Sequence, residues 1–217
     1  MAPSLVVSCL SQKGGVGKST LARLVATTYA AEKWKVKIAD LNTRQKTSVD
    51  WAGYRMDRQL QPPVAAELVD NVKVPLKQDY DLIVFDGKPD SDTTSLEAAK
   101  AAHLIIIPTG TSLDDLVPQI RFGNELVRYG ISKNKILFVL NQTTGSIAQV
   151  EGARQTILER GGFSVAQKDL PLKPGYQNAQ NEGRSIGETD YEPLNARSYA
   201  LASEIVDRAN QLLGVAA

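Results

Sequence analysis

The sequence predicts an α/β fold with a doubly wound, mostly parallel sheet flanked by helices, built by residues 1–217 as one domain. Three observations predict it. Short apolar runs alternate with longer helical patterns, the arrangement that yields parallel strands joined by right-handed crossovers. One run, "DLIVFD" at 81–86, is apolar without alternation, as a strand buried on both faces is. A glycine-rich loop, "SQKGGVGKST" at 11–20, separates the first strand from the first helix.

Taken in order, residues 5–10 form a strand. Residues 19–32 form a helix with Leu21, Leu24, Val25 and Thr28 on one face. Residues 36–40 are a strand ending in an acid, and 47–58 are helical until Pro62-Pro63 interrupts the chain. "VAAEL" at 64–68 reads as a short strand. The buried strand at 81–86 and a helix at 93–102 follow. A strand at 104–107 is expected to stop at Pro108, and a helix at 113–129 carries Pro118 near its start. A strand at 136–140, a helix at 147–160 and a weaker strand at 165–170 come next. A long helix at 191–213, with Pro193 in its first turn, closes the chain.

Lys and Arg total 25 against 24 Asp and Glu, a net charge of +1, so any affinity for polyanions has to come from a local patch or one assembled by dimerisation. The lone cysteine, Cys9, lies in an apolar strand, which excludes a disulfide framework or a cysteine metal site within one chain. His103, the only histidine, precedes a buried strand and reads as structural. The N-terminus has no basic region before its glycine loop, and no apolar run reaches the ~20 residues of a membrane span, so a cytoplasmic protein without a membrane partner is expected.

The glycine loop carries the chemistry. Between a strand and a helix, such a loop turns backbone N–H groups into one concavity, and the helix N-terminus adds partial positive charge. Gly14, Gly15 and Gly17 permit the turn, Lys18 is placed to reach β- and γ-phosphates, and Ser19 can ligate Mg²⁺. The general phosphate-loop pattern requires glycine at position 12, where this chain has Gln12. A narrower pattern, Lys-Gly-Gly-x-Gly-Lys-Ser, matches in full and brings a second lysine, Lys13.

That narrower pattern resembles the deviant Walker A box of the ParA/MinD ATPases, and the resemblance extends over nearly the whole chain. It implies a P-loop NTPase fold, ATP and Mg²⁺ as ligands, and binding by Lys13, Gly14, Gly15, Val16, Gly17, Lys18, Ser19 and Thr20. It also implies that Lys13 reaches the partner's nucleotide in an ATP-dependent homodimer. "DLIVFDGKPD" resembles a Walker B strand, with Asp86 on the metal and Lys88 free to pair with Asp90 or Asp92. Where the family reads Asp-x-Asp-Pro-Gln, this chain has Asp40 but Asn42 and Thr43. An amide is a poorer proton acceptor than a carboxylate, so slow hydrolysis is expected. Asn141, Pro171 and Leu172 match positions that flank the adenine, and Asp115 matches an acidic position read as structural or interfacial.

Within the family, partition ATPases bind nonspecific double-stranded DNA as ATP dimers and are reset by a ParB-like centromere-binding adaptor. The resemblance therefore implies a nucleoid-associated ATPase that segregates plasmid or chromosomal DNA. Candidate DNA cations are Arg154, Arg160, Lys168, Lys173, Arg184, Arg197 and Arg208, interleaved with acids. The tail "RANQLLGVAA" is a poor basic amphipathic anchor. The chain begins at its first strand, so no DNA-binding extension is expected before it. Positioning of a protein cargo, a non-hydrolysing nucleotide-gated scaffold and a small-molecule ligase are the other readings.

Overall fold

Among the described residues, seven strands lie side by side in the order Ala65–Leu68, Val36–Asp40, Leu82–Pro89, Leu5–Ser11, Leu104–Thr109, Ile136–Thr143 and Ser164–Val165, and every pairing is parallel. The structure, a computed structural model, describes residues 3–89 and 92–215. The strands are β1 (Leu5–Ser11), β2 (Val36–Asp40), β3 (Ala65–Leu68), β4 (Leu82–Pro89), β5 (Leu104–Thr109), β6 (Ile136–Thr143) and β7 (Ser164–Val165), and a further pair of residues, β8 (Leu170–Pro171), joins the far end of β6. The helices are α1 (Lys18–Ala31), α2 (Thr47–Asp57), α3 (Thr93–Ala101), α4 (Leu113–Arg128), α5 (Ile147–Gly161), α6 (Pro174–Asn181) and α7 (Glu192–Leu213).

Strand alternation builds two cores on one sheet. Leu5, Val7 and Cys9 of β1 face the layer of α1 and α7, while Val6 and Leu10 face that of α3, α4 and α5. With both faces covered, β1 is buried along its whole length. The chain winds outward from β1 to β2 and β3, returns to β4, then crosses to β5, so β1 lies at the switch of direction. In such sheets ligands bind at the carboxyl ends of strands beside the switch, which here means the loop after β1.

Three expectations need correction. The strand at 165–170 is two separate pieces, β7 and β8. Between them Asp169 is drawn aside by Thr143, whose hydroxyl donates to it at 2.6 Å, and by an ion pair with Arg197. Pro108 does not end its strand: β5 runs through it to Thr109. Helix α6 was not anticipated, because "PGYQNAQN" has no apolar period and opens on a turn-like Pro-Gly; Pro174 in its first turn was the available signal. The β4 strand continues beyond Asp86 through Gly87, Lys88 and Pro89, with a register shift against β1. His103 is structural: its Nδ1 accepts from the Val6 amide at 2.9 Å. Among the described residues no helix is long and apolar enough to cross a membrane.

Candidate functional site

A cavity of about 390 Å³ opens at the carboxyl end of the sheet. Its floor is the loop after β1 and the first turn of α1: Gly14, Gly15, Gly17, Lys18, Ser19 and Thr20. Gly15 and Gly17 have φ of +76° and +99°, a region L-residues avoid, and a Cβ on Gly17 would overlap the Asn141 amide. Those glycines bring the backbone close enough to leave a cradle. Lys18, at the first position of α1, is buried, and its Nζ donates to the Lys13 carbonyl at 3.0 Å. Burial lowers its pKa, and the Asp86 charge opposes that shift.

Behind Lys18 stand two buried acids, Asp40 at the end of β2 and Asp86 within β4. Asp40 accepts from the Asn42 amide at 2.9 Å and the Ser48 amide at 3.0 Å, so it organises the β2–α2 turn and lies outside the cavity lining. Asp86 accepts from the Ser48 hydroxyl at 2.6 Å through Oδ2, while its buried Oδ1 has no hydrogen-bond partner. Burial, with the nearby Asp40 charge, pushes Asp86 up to about 6, and the Ser48 hydroxyl works against the rise. An ionised, half-partnered carboxylate held in the interior suits a cation. The Ser19 and Thr47 hydroxyls share a hydrogen bond at 3.1 Å beside it. Lys18, Ser19 and Asp86 therefore fit phosphate with Mg²⁺: Ser19 and Asp86 would hold the ion, which neutralises phosphate charge and polarises its oxygens.

Lys13 points elsewhere. Its ammonium pairs with Asp115 at the start of α4 and lies outside the cavity, with 42% of the side chain exposed. The Ser112 hydroxyl donates to the other Asp115 oxygen at 2.7 Å, and Ser112 caps the same helix. The Lys13 and Ser112 contacts hold the Asp115 carboxyl below its usual range despite partial burial. Asn42 lines the cavity and shares two hydrogen bonds with Gln45: its amide donates to Oε1 at 2.8 Å and its oxygen accepts from the Gln45 amide at 3.2 Å.

The residues matched to the adenine lie beside the loop and the end of β6. Asn141 is buried, and its side-chain amide donates to the Val16 carbonyl at 2.7 Å, bracing the loop. Pro171 and Leu172 lie alongside the end of β6, at Thr143, and are not part of the cavity lining, as Val16 is not. The far wall is instead made of carboxamides: Gln142, and Gln177, Gln180 and Asn181 from α6. Sequence reasoning missed these, and also Arg23, because their meeting depends on contacts more than 100 residues apart along the chain. The seven candidate DNA cations are mostly engaged: Arg154, Arg184 and Arg197 pair with acids and Arg208 donates to the Asn134 carbonyl at 2.6 Å. Lys88 pairs with Asp92, the N-cap of α3; Asp90 is outside the described residues.

A model of the CobQ/CobB/MinD/ParA nucleotide binding domain matches residues 7–186. Maintenance of carboxysome distribution protein A from Gloeobacter kilaueensis is 28% identical over 210 residues, covering 94% of this chain and 94% of that protein. Among solved structures, the MinD cell division protein of Aquifex aeolicus superposes with a TM-score of 0.73 at 16% identity, over 94% of this chain and 97% of that one. A plasmid partition protein from Borrelia burgdorferi B31, described as putative and bound to AMPPNP, gives 0.70 at 14% identity, over 95% and 99%.

Proposed function

The chain belongs to the CobQ/CobB/MinD/ParA nucleotide-binding family, and from that premise we propose that it is a ParA-type ATPase whose ATP-bound dimer carries a cargo along DNA. The observation that carries this reading is the divergence of two lysines from one glycine loop. Lys18 is buried in the cavity, where it balances phosphate charge, and Lys13 stands outside it on a half-exposed ion pair. An exposed pair is worth about 0.2–1 kcal/mol, so Lys13 leaves Asp115 at little cost once a partner's phosphates offer a stronger anion. Lys13 then acts in trans, and dimerisation depends on nucleotide. Hydrolysis, slowed by Asn42, returns the monomer.

The ATP dimer binds nonspecific double-stranded DNA, and a ParB-like adaptor couples plasmid or chromosomal cargo to it in the nucleoid-associated cytoplasm. Arg160, Lys168 and Lys173, exposed and free of acid partners among the described residues, supply cations that a dimer doubles. A second reading, with a protein body as cargo, is supported by the carboxysome-distribution relative that matches nearly end to end. The two share the switch and differ in the adaptor.

Retention of random-sequence DNA on filters, measured with ATP, with ADP and across a salt series, tests the reading. Binding with ATP alone, indifferent to sequence and falling steeply with salt, is expected, because phosphate neutralisation releases counterions. Equal binding with ADP, or strong sequence preference, would contradict it.

A further inference from the structure

Arg23 is a buried cation that the phosphate loop does not require. It lies on α1 one turn past Ser19, is 8% exposed, and lines the cavity. One guanidinium joins three helices. Its Nη2 donates to the Thr47 carbonyl at 2.6 Å and its Nε to the Ser48 hydroxyl at 3.3 Å, both at the start of α2. Its Nη1 donates to Gln180 Oε1 at 2.8 Å, on α6. The same Gln180 returns a bond through Nε2 to the Thr20 hydroxyl of α1 at 3.0 Å. The Trp51 ring lies 5.5 Å from the guanidinium carbon and adds a cation–π contact from α2.

Helix α6 needs such a tether. It has eight residues, buries only Gly175, Tyr176 and Ala179, and offers amides to the cavity. A helix this short is not stable by propensity. A planar fork with several donors can hold acceptors on two elements at once, which a lysine ammonium on a flexible stem does less well.

We propose that Arg23 is a positioning residue that clasps α6 to the start of α2 and so keeps the amide wall closed over bound nucleotide. The proposal rests on the nucleotide-switch reading above. It assigns to Arg23 the residence time of nucleotide, acting through Gln180, with no contact of its own to the reacting phosphate.

Release of a fluorescent ADP analogue in the presence of Mg²⁺, followed by stopped flow, tests it. Arg23→Gln is expected to speed release roughly ten- to hundredfold, the loss typical of a charge-assisted hydrogen bond. Arg23→Lys should rescue little, since it cannot span both helices. Gln180→Met should also speed release, and the double variant should be no faster than Arg23→Gln alone, because the two act as one unit. A purely structural Arg23 would lower the melting temperature of the empty protein and leave release unchanged. If Arg23→Gln does not fold, Arg23→Lys and Gln180→Met carry the test. Wild-type release from both, or additive effects in the double variant, would overturn the clasp. Failure of the wild-type protein to bind the analogue would overturn the nucleotide reading, and the clasp with it.

Discussion

Asn42 lines the cavity with its side chain committed to Gln45 on both the donor and the acceptor side. A residue held so firmly to its own turn is poorly placed to take a proton, in addition to being an amide. Asn42→Asp restores a carboxylate and removes the bond donated to Gln45, whose amide can rotate to donate in its place. ATP turnover should rise, toward the ~10²–10⁴-fold that general-base help supplies, while nucleotide affinity stays near wild type because Lys18, Ser19 and Asp86 are untouched. Single-turnover hydrolysis at saturating ATP measures this, and equal rates would mean that another group places the water. At this scale the sequence was informative where chemistry is local. Lys18, Ser19 and Gly17 follow from the spacing of one loop. Arg23 and Gln180 do not, being 157 positions apart and brought together only by the packing of α6 on α1. Nor does the Asn141–Val16 bond, which spans 125 positions and braces the loop.

Elements with a strong period were legible to within a few residues: β2, α3 and α4 have close to the expected bounds, since burial on a face leaves its mark on composition. Those whose conformation depends on neighbours were not, as α6 and the divided β7 and β8 illustrate. Helix α2 shows how such tertiary support works. Arg55, buried at 1% exposure, makes a two-pronged contact with Glu188 at 2.8 Å on each arm and donates to the Pro62 carbonyl at 2.7 Å. Trp51 donates to the Arg184 carbonyl at 3.0 Å. Together they fix α2 against the 182–190 loop, and with it the Thr47–Ser48 edge of the cavity. Arg55→Leu leaves Glu188 with the Ser185 amide alone and takes the guanidinium donor from the Pro62 and Gly183 carbonyls. Breaking a fully buried pair costs about 3–5 kcal/mol; with the Glu188 side chain 24% exposed the loss is smaller, and the variant should still unfold at lower urea than wild type. A midpoint within error of wild type would show that α2 is held by its apolar contacts instead.

Across the whole molecule, charge is near balance at +1. Three of the seven late cations are spent on ion pairs within the chain and Arg208 on a carbonyl, so one subunit offers few free ones, and a dimer is the simplest way to gather enough to hold a polyanion. In the proposed switch, nucleotide binding, dimerisation and DNA retention follow in that order, with Lys13 as the link between the first and the second. Light scattering of the wild-type protein and Lys13→Ala, each with ADP and with a non-hydrolysable ATP analogue plus Mg²⁺, tests this link most directly. The account predicts that the wild type doubles its mass with the ATP analogue alone, and that Lys13→Ala binds the analogue yet stays a single chain. A Lys13→Ala protein that doubles its mass as readily as the wild type would contradict it.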